Sequence, residues 1–109
     1  FDLLADLPAF EDINAFVSWA RANRVQVFAT YPNLMENPIY QTAPAKRALQ
    51  RIRDAYAKLE VKMIGSFEES LLPPSAFLDT YYHLTREGAR QRTERLIPHL
   101  AAVLNRERK

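Results

Sequence analysis

The sequence contains no cysteine and only two glycines among its 109 residues. The lack of cysteine excludes disulfide bonds and thiolate chemistry from this chain. The shortage of glycine leaves few positions suited to a positive φ, which a free-standing domain with several tight turns normally needs. No apolar run approaches the roughly 18 residues of a membrane-spanning helix, and no signal-peptide pattern follows Phe1. We expect the chain to be part of a longer protein, and any membrane association to come only through segments outside it.

The charge pattern gives little support for a nucleic-acid partner, and we predict none. Fifteen basic residues against 13 acidic ones leave a formal net charge of +2. The main basic concentration, residues 46–53, falls in a predicted helix, where a solvated face explains it better than a nucleic-acid footprint. His83 and His99 lack metal-ligand spacing, and no glycine-rich phosphate loop is present, so we predict neither a metal site nor a cofactor. We expect His99 to be a surface helix residue.

Apolar periodicity predicts three helices, over residues 10–23, 44–59 and 86–105. Thr42 or Ala43 should cap the second helix and Thr85 the third, in which Pro98 should cause a kink or a split. The predicted apolar stripes are Ile13, Phe16, Val17 and Ala20 in the first helix, Ala45, Ala48, Leu49, Ile52, Ala55, Tyr56 and Leu59 in the second, and Ala89, Thr93, Leu96, Leu100, Val103 and Leu104 in the third.

Two short β-rich segments, residues 25–30 and 61–64, are typical of strands buried on both faces of a parallel sheet. Residues 33–43 lack periodicity and are predicted to be a loop. The order helix, strand, helix, strand, loop, helix predicts an α/β fold, as a fragment of a doubly wound, flavodoxin-like parallel sheet with flanking helices. Because two strands make a poor sheet, further strands should come from the rest of the polypeptide or from a second copy of the chain.

An acid and a histidine follow the second predicted strand. Ligands of open α/β sheets bind beyond the carboxyl ends of the strands, and this topology would place Asp79 and His83 there. Asp79 could accept the Nδ1 proton of His83, whose Nε2 could then take a proton from a serine. On spacing alone, an Asx turn at Asp79 and a helix cap or backbone hydrogen bond at His83 explain the two residues at least as well.

The run Phe77–Gly88, with the sequence FLDTYYHLTREG, precedes a helix that contains Arg92 and Thr93. It resembles the last conserved block of SGNH/GDSL-type hydrolases, in which an Asp and a His complete a catalytic triad and a His-Leu-x-x-x-Gly run opens the final helix. The similarity covers most of the chain, including the strand that ends in Tyr-Pro. It is nearest to the branch associated with O-acylation of polysaccharides, which implies a periplasmic or membrane-associated location.

The resemblance implies that residues 1–109 form a single α/β domain, the C-terminal half of a larger SGNH-like domain. Asp79 would be the orienting acid, His83 the general base, and Gly88 the small residue that lets the last helix pack close to the loop. The implied activity is ester hydrolysis or O-acyl transfer on an ester or acylated carbohydrate. The sequence departs from the family in its Asp-x-x-x-His spacing, where Asp-x-x-His is commoner, and in having no Gly-Asp-Ser block. An upstream part of the same polypeptide should therefore supply the nucleophilic serine, and the isolated chain should be inactive.

Other polar and aromatic residues could line an ester or sugar site, namely Tyr31, Asn33, Tyr81 and Tyr82. Packing explains the tyrosines equally well, and an Asn that follows a proline is also a common turn residue. No strand–turn–helix elbow, which would expose a nucleophile, surrounds any of the serines Ser18, Ser66, Ser70 and Ser75. The alternative function is a non-catalytic α/β interaction or scaffold module.

Overall fold

The fold is mixed α/β in the computed structural model, which describes residues 8–80 and 82–107. Within these residues the helices are α1 (Pro8–Ala22), α2 (Ala43–Lys58) and α3 (Arg86–Glu107). The strands are β1 (Phe28–Ala29), β2 (Leu34–Met35), β3 (Lys62–Met63) and β4 (Leu71–Leu72). Short 3-10 helices span Pro38–Gln41, Glu68–Ser70 and Pro74–Ala76.

The chain is divided between two compact units. The first unit contains the described residues up to Ala29 together with Pro38–Met63. The second contains Thr30–Asn37 and the described residues from Ile64 onward. Each unit contains one pair of parallel strands.

In the first unit, β1 and β3 pair in parallel, with Phe28 opposite Lys62 and Ala29 opposite Met63. Strands in these two segments, and their parallel direction, were expected from the sequence and are confirmed. The expected lengths and the burial on both faces are wrong, because each strand has two residues and none of the four is fully buried. A pair of strands this short has too little surface to cover both of its faces.

Helix α2 shows how local sequence signals set its position in the first unit. Thr42 is the N-cap, and its hydroxyl accepts a hydrogen bond from the backbone N–H of Ala45 at 3.4 Å. Pro44 lies in the first turn, where a missing N–H costs nothing. The predicted apolar face is confirmed as the less exposed one, since all seven of its residues are half-buried.

Helix α1 buries only part of its apolar stripe. Val17 and Ala20 are buried, whereas Phe16 and Trp19 are more than half exposed and stack on each other. The Arg21 side chain donates to the backbone carbonyl just past the end of α2, at Leu59. A hydrogen bond to a backbone carbonyl thus joins the two helices of this unit.

In the second unit, β2 pairs in parallel with β4, with Leu34 opposite Leu71 and Met35 opposite Leu72. Residues 33–43 were expected to be a loop, and this is wrong because they contain β2 and a 3-10 helix. Two-residue strands have no measurable periodicity, and their pairing depends on distant residues. One core cluster of this unit is formed by the buried residues Leu72, Ala76 and Phe77, with Met35 and Leu84 packed against them.

Helix α3 runs unbroken through Pro98, so the expected split does not occur. The Thr85 hydroxyl accepts the backbone N–H of Gly88 at 3.0 Å, which confirms Thr85 as the cap. The predicted buried stripe is wrong in part. Val103 is buried, and Leu96 and Leu100 are half-buried, but exposed positions are found at Ala89, Thr93 and Leu104. No helix of the described residues combines the length and apolar character needed to cross a membrane.

Polar side chains of α3 make contacts with the rest of the second unit where apolar side chains were predicted. Arg92 donates to the Tyr31 carbonyl at 2.6 Å and to the Thr30 hydroxyl at 3.0 Å. Arg95 donates to the carbonyls of Glu69 and Leu71, at 3.1 and 3.0 Å. These side chains donate hydrogen bonds to the backbone carbonyls of residues 31, 69 and 71 and so link α3 to the segments that contain them.

The start of α3 packs against the backbone of Ala76. A Cβ atom at Gly88 would overlap the carbonyl oxygen of Ala76 and lie 3.0 Å from its Cβ. The same carbonyl accepts the N–H of Thr85 at 2.8 Å. Glycine is therefore required at position 88 for its lack of a side chain, because nothing larger fits at this distance.

We expect Gly88→Ala to destabilise the protein by about 1–3 kcal/mol, the usual cost of overpacking. Alanine has the higher helix propensity, so at an open position the same change would be stabilising. Urea denaturation followed by circular dichroism measures the difference. Thr93→Ala, at an exposed position of α3, is the control and should change stability by less than about 0.5 kcal/mol. A Gly88→Ala protein as stable as wild type would contradict the close packing.

Candidate active site

A closed loop in the second unit carries the predicted acid and base. At its base, Phe77 and Leu84 form an antiparallel bridge. Just inside that bridge, the N–H of Leu78 donates to the carbonyl of His83 at 2.8 Å. The described residues 78–80, 82 and 83 therefore belong to a short loop whose two ends are joined by backbone hydrogen bonds.

Within this loop the structure brings Asp79 and His83 together. The Nδ1 atom of His83 lies 3.2 Å from Oδ1 of Asp79. The side chains are 67% exposed for His83 and 76% for Asp79, so their contact adds little to the stability of the fold. Among the described residues, Nε2 of His83 has no hydrogen-bond partner. An imidazole held at Nδ1 by a carboxylate and open at Nε2 can act as a general base.

Two further side chains support the loop backbone next to His83. The Thr80 hydroxyl accepts the N–H groups of Tyr82 and His83, at 3.2 and 3.1 Å. Asn33, which precedes β2, donates its side-chain amide to the Tyr82 carbonyl at 2.9 Å. The side chain of Asn33 thus contacts the loop itself, and one of its amide protons is already engaged there.

The remaining predicted site residues are placed differently. Tyr82 is 64% exposed on the loop. The Tyr31 ring is buried and packs edge-on against Phe67, with ring centroids 5.6 Å apart, so it contributes to the core of the unit and not to an open surface. Tyr81 lies outside the described residues. Gly88 contacts Ala76, one residue before the bridge that closes the loop.

Sequence reasoning missed two residues of the loop. Thr80 was not singled out. A threonine hydroxyl commonly accepts hydrogen bonds from the backbone N–H groups two and three residues later, so a local signal was present. Leu78 is 72% exposed and pairs with His83 through the backbone. Because Phe77 and Leu84 face the core, alternation along the bridge puts Leu78 and His83 on the opposite, solvent-facing side. Only the pairing itself reveals this, so the sequence alone held no signal for Leu78.

A second histidine–carboxylate pair lies elsewhere in the same unit. Nε2 of His99 lies 2.8 Å from Oε2 of Glu69, and both side chains are about one-third exposed. The Oε1 atom of Glu69 accepts from the hydroxyl and the N–H of Ser66, at 3.0 and 3.2 Å, while the N–H of Glu69 donates back to the Ser66 hydroxyl. His99 lies in a helix, as expected, but its side chain is only about one-third exposed and is hydrogen-bonded to Glu69.

This second cluster has the wrong order for a catalytic triad. In a triad the histidine lies between the serine and the acid, so that it can take the serine proton. Here Glu69 lies between Ser66 and His99, and it accepts from both. The reciprocal bonds of Ser66 and Glu69 instead follow the capping-box pattern. The N-cap of the adjacent 3-10 helix is Phe67, which makes no side-chain cap bond. The described residues also contain no group of three or more His, Cys, Asp or Glu side chains that could hold a metal ion.

No protein-family model, curated protein or solved structure matches this chain. The chemistry of the site therefore has to be argued from its own geometry. Of the two pairs, Asp79 and His83 alone combine a carboxylate at Nδ1 with an imidazole edge that an incoming group can reach. The loop of residues 78–83 is the candidate active site.

The hydrogen bond from His99 gives Glu69 a testable pH signature. It lowers the pKa of the Glu69 carboxyl below its ordinary value of 4.5, against an opposing effect of burial. A carboxyl whose pKa is lower in the folded state contributes stability above its unfolded pKa, and that contribution is lost as the pH falls through the folded pKa. The loss should therefore occur below about pH 4.5.

We expect Glu69→Gln to lower the free energy of unfolding by about 1 kcal/mol at pH 7, the usual value of one hydrogen bond. The difference from wild type should be smaller at pH 3 than at pH 7, because pH 3 lies below the ordinary carboxyl pKa of 4.5 and the wild type has lost part of this contribution there. Urea denaturation at both pH values measures it. Glu68→Gln, which removes the same charge at the exposed neighbouring position, is the control. An equal difference at pH 7 and pH 3 would show that the charge of Glu69 contributes nothing.

Proposed function

We propose that this chain supplies the acid and the base of an SGNH-type serine esterase or O-acyltransferase. The observation that carries the proposal is the 3.2 Å contact between Asp79 and Nδ1 of His83, on a closed loop that leaves Nε2 accessible. In this role Asp79 keeps the proton on Nδ1 and stabilises the imidazolium. His83 takes the proton of the nucleophilic serine through Nε2 and then delivers it to the departing alkoxide.

The serines of the second unit support a nucleophile that lies outside these 109 residues. The Ser66 hydroxyl donates to Glu69, and the fully buried Ser70 hydroxyl donates to the Phe67 carbonyl at 2.5 Å. No serine in the described part of this unit hydrogen-bonds to His83. In the proposed enzyme, an upstream segment of the same polypeptide provides the serine and the donors of the oxyanion hole.

The same proposal includes the finer fold assignment. The parallel strands β1 and β3 are connected through β2, a 3-10 helix and α2. A helix in the crossover between parallel strands is typical of a doubly wound, flavodoxin-like sheet. A sheet of this kind needs about four to six strands. In the proposed protein, the upstream segment adds parallel strands, and residues 1–109 complete the domain as its C-terminal half.

The proposed substrate is an ester or an acylated carbohydrate. Leu78 and Tyr82 are the large, mostly exposed apolar residues of the candidate loop. A tyrosine offers a flat apolar face with a polar tip, which suits an acyl chain or a sugar ring. A periplasmic or membrane-associated location, which the family resemblance suggests, remains part of the proposal.

We expect His83→Ala and Asp79→Asn to reduce kcat/KM of the intact polypeptide for an activated ester, such as p-nitrophenyl acetate, by about 10³-fold or more. The isolated 109-residue chain should show no turnover above background. His99→Gln is the matched control, because it removes the other histidine and should leave kcat/KM unchanged. Full activity in the His83→Ala protein would contradict the proposal.

A non-catalytic α/β interaction or scaffold module is the competing function. The absence of a serine bonded to His83 in the described part of the second unit favours it. This alternative predicts that the intact wild-type protein turns over none of a panel of activated esters. It also predicts that removal of the His83 imidazole changes no measured property beyond local loop structure. Turnover that depends on His83 would exclude it.

A further inference from the structure

We infer that Thr80 is a positioning residue for the general base His83, an inference that rests on the proposed function. Thr80 lies between the acid and the base in sequence, and its hydroxyl oxygen accepts two backbone hydrogen bonds. These come from the N–H of Tyr82 at 3.2 Å and from the N–H of His83 at 3.1 Å. The hydroxyl thus holds the peptide group from which the imidazole projects.

The backbone around His83 is fixed on both sides of this contact. The His83 N–H is bound by Thr80, and its carbonyl accepts from Leu78 at 2.8 Å. The Tyr82 N–H is bound by Thr80 as well, and its carbonyl accepts from Asn33. All four backbone groups of the two residues have protein partners, and the Thr80 hydroxyl supplies two of these four bonds.

This support matters because the contact with Asp79 alone holds the imidazole only weakly. Asp79 and His83 are both mostly exposed, and a contact between exposed charged side chains is worth about 0–1 kcal/mol. Thr80, Tyr82 and His83 are exposed too, so no buried packing restrains them. The orientation that turns Nδ1 toward Asp79 therefore rests on the hydrogen-bonded backbone of Tyr82 and His83, to which Thr80 contributes two of the four bonds.

A valine at position 80 keeps the shape and β-branching of threonine and removes the acceptor. The freed N–H groups are exposed and can bond to water, so the protein should still fold with a urea midpoint close to that of wild type. The substitution should instead change the orientation of the His83 side chain. A small misplacement of a catalytic group lowers kcat by up to about 100-fold.

The test compares Thr80→Val and Thr80→Ser in the intact polypeptide, with an activated ester as substrate. Thr80→Val should lower kcat by about 10- to 100-fold with KM within about twofold of wild type. Thr80→Ser restores the acceptor and should stay within about threefold of wild type in kcat. Thr93→Val, the same substitution at an exposed position of α3, is the control and should leave both parameters unchanged.

A second readout is independent of turnover. The ¹⁵N chemical shifts of the neutral His83 ring report which nitrogen carries the proton, and in wild type and Thr80→Ser this should be Nδ1. In Thr80→Val the ring should show a mixture of the two tautomers. An unchanged tautomer, or an unchanged kcat in Thr80→Val while His83→Ala is inactive, would overturn the role of Thr80. If His83→Ala kept full activity, the proposed function would fall, and the tautomer comparison would still decide whether Thr80 orients His83.

Discussion

The packing of α3 onto the backbone of Ala76 is the constraint on which the candidate site depends. Where the helix begins, Gly88 leaves room for the Ala76 carbonyl, and that carbonyl accepts the N–H of Thr85. Phe77, which follows Ala76, and Leu84, which precedes Thr85, form the bridge that closes the loop of residues 78–83. The base of the loop and the first turn of the helix are thus fixed together, and this gives an exposed loop a defined starting geometry.

The two histidine–carboxylate pairs show how surroundings decide the use of the same chemical groups. Glu69 and His99 are partly buried and joined to a capping box, so both carboxylate oxygens are occupied and the pair holds the connecting segment to α3. Asp79 and His83 lie on the exposed loop, where their contact adds little stability but leaves one ring nitrogen accessible. The Glu69–His99 pair is therefore suited to stabilising the fold, and the Asp79–His83 pair to transferring a proton.

The features that could be predicted from the sequence are those formed by residues close together in the chain. The three helices, and the threonine caps of α2 and α3, were predictable because periodicity and capping act within a few residues. Strands β1 and β3 were predicted in the right segments but too long. The length of a strand depends on the strand it pairs with, which the local sequence does not specify. The buried face of α3 was assigned correctly only in part, because Arg92, Arg95 and His99 make contacts where apolar residues were expected. The contact between Asp79 and His83 was expected, although their spacing alone fitted an Asx turn and a helix cap at least as well. The support from Thr80 and Asn33 depends on hydrogen bonds that only the folded loop shows.

The central claim, that Asp79 and His83 serve a serine nucleophile, is tested most directly by fluorophosphonate labelling of the intact polypeptide. Peptide mass spectrometry then identifies the modified residue in wild type and in His83→Ala. The proposed mechanism predicts one labelled serine, located upstream of these 109 residues, and much slower labelling when the imidazole is absent. No labelling of the wild type, or equal labelling of both proteins, would contradict it.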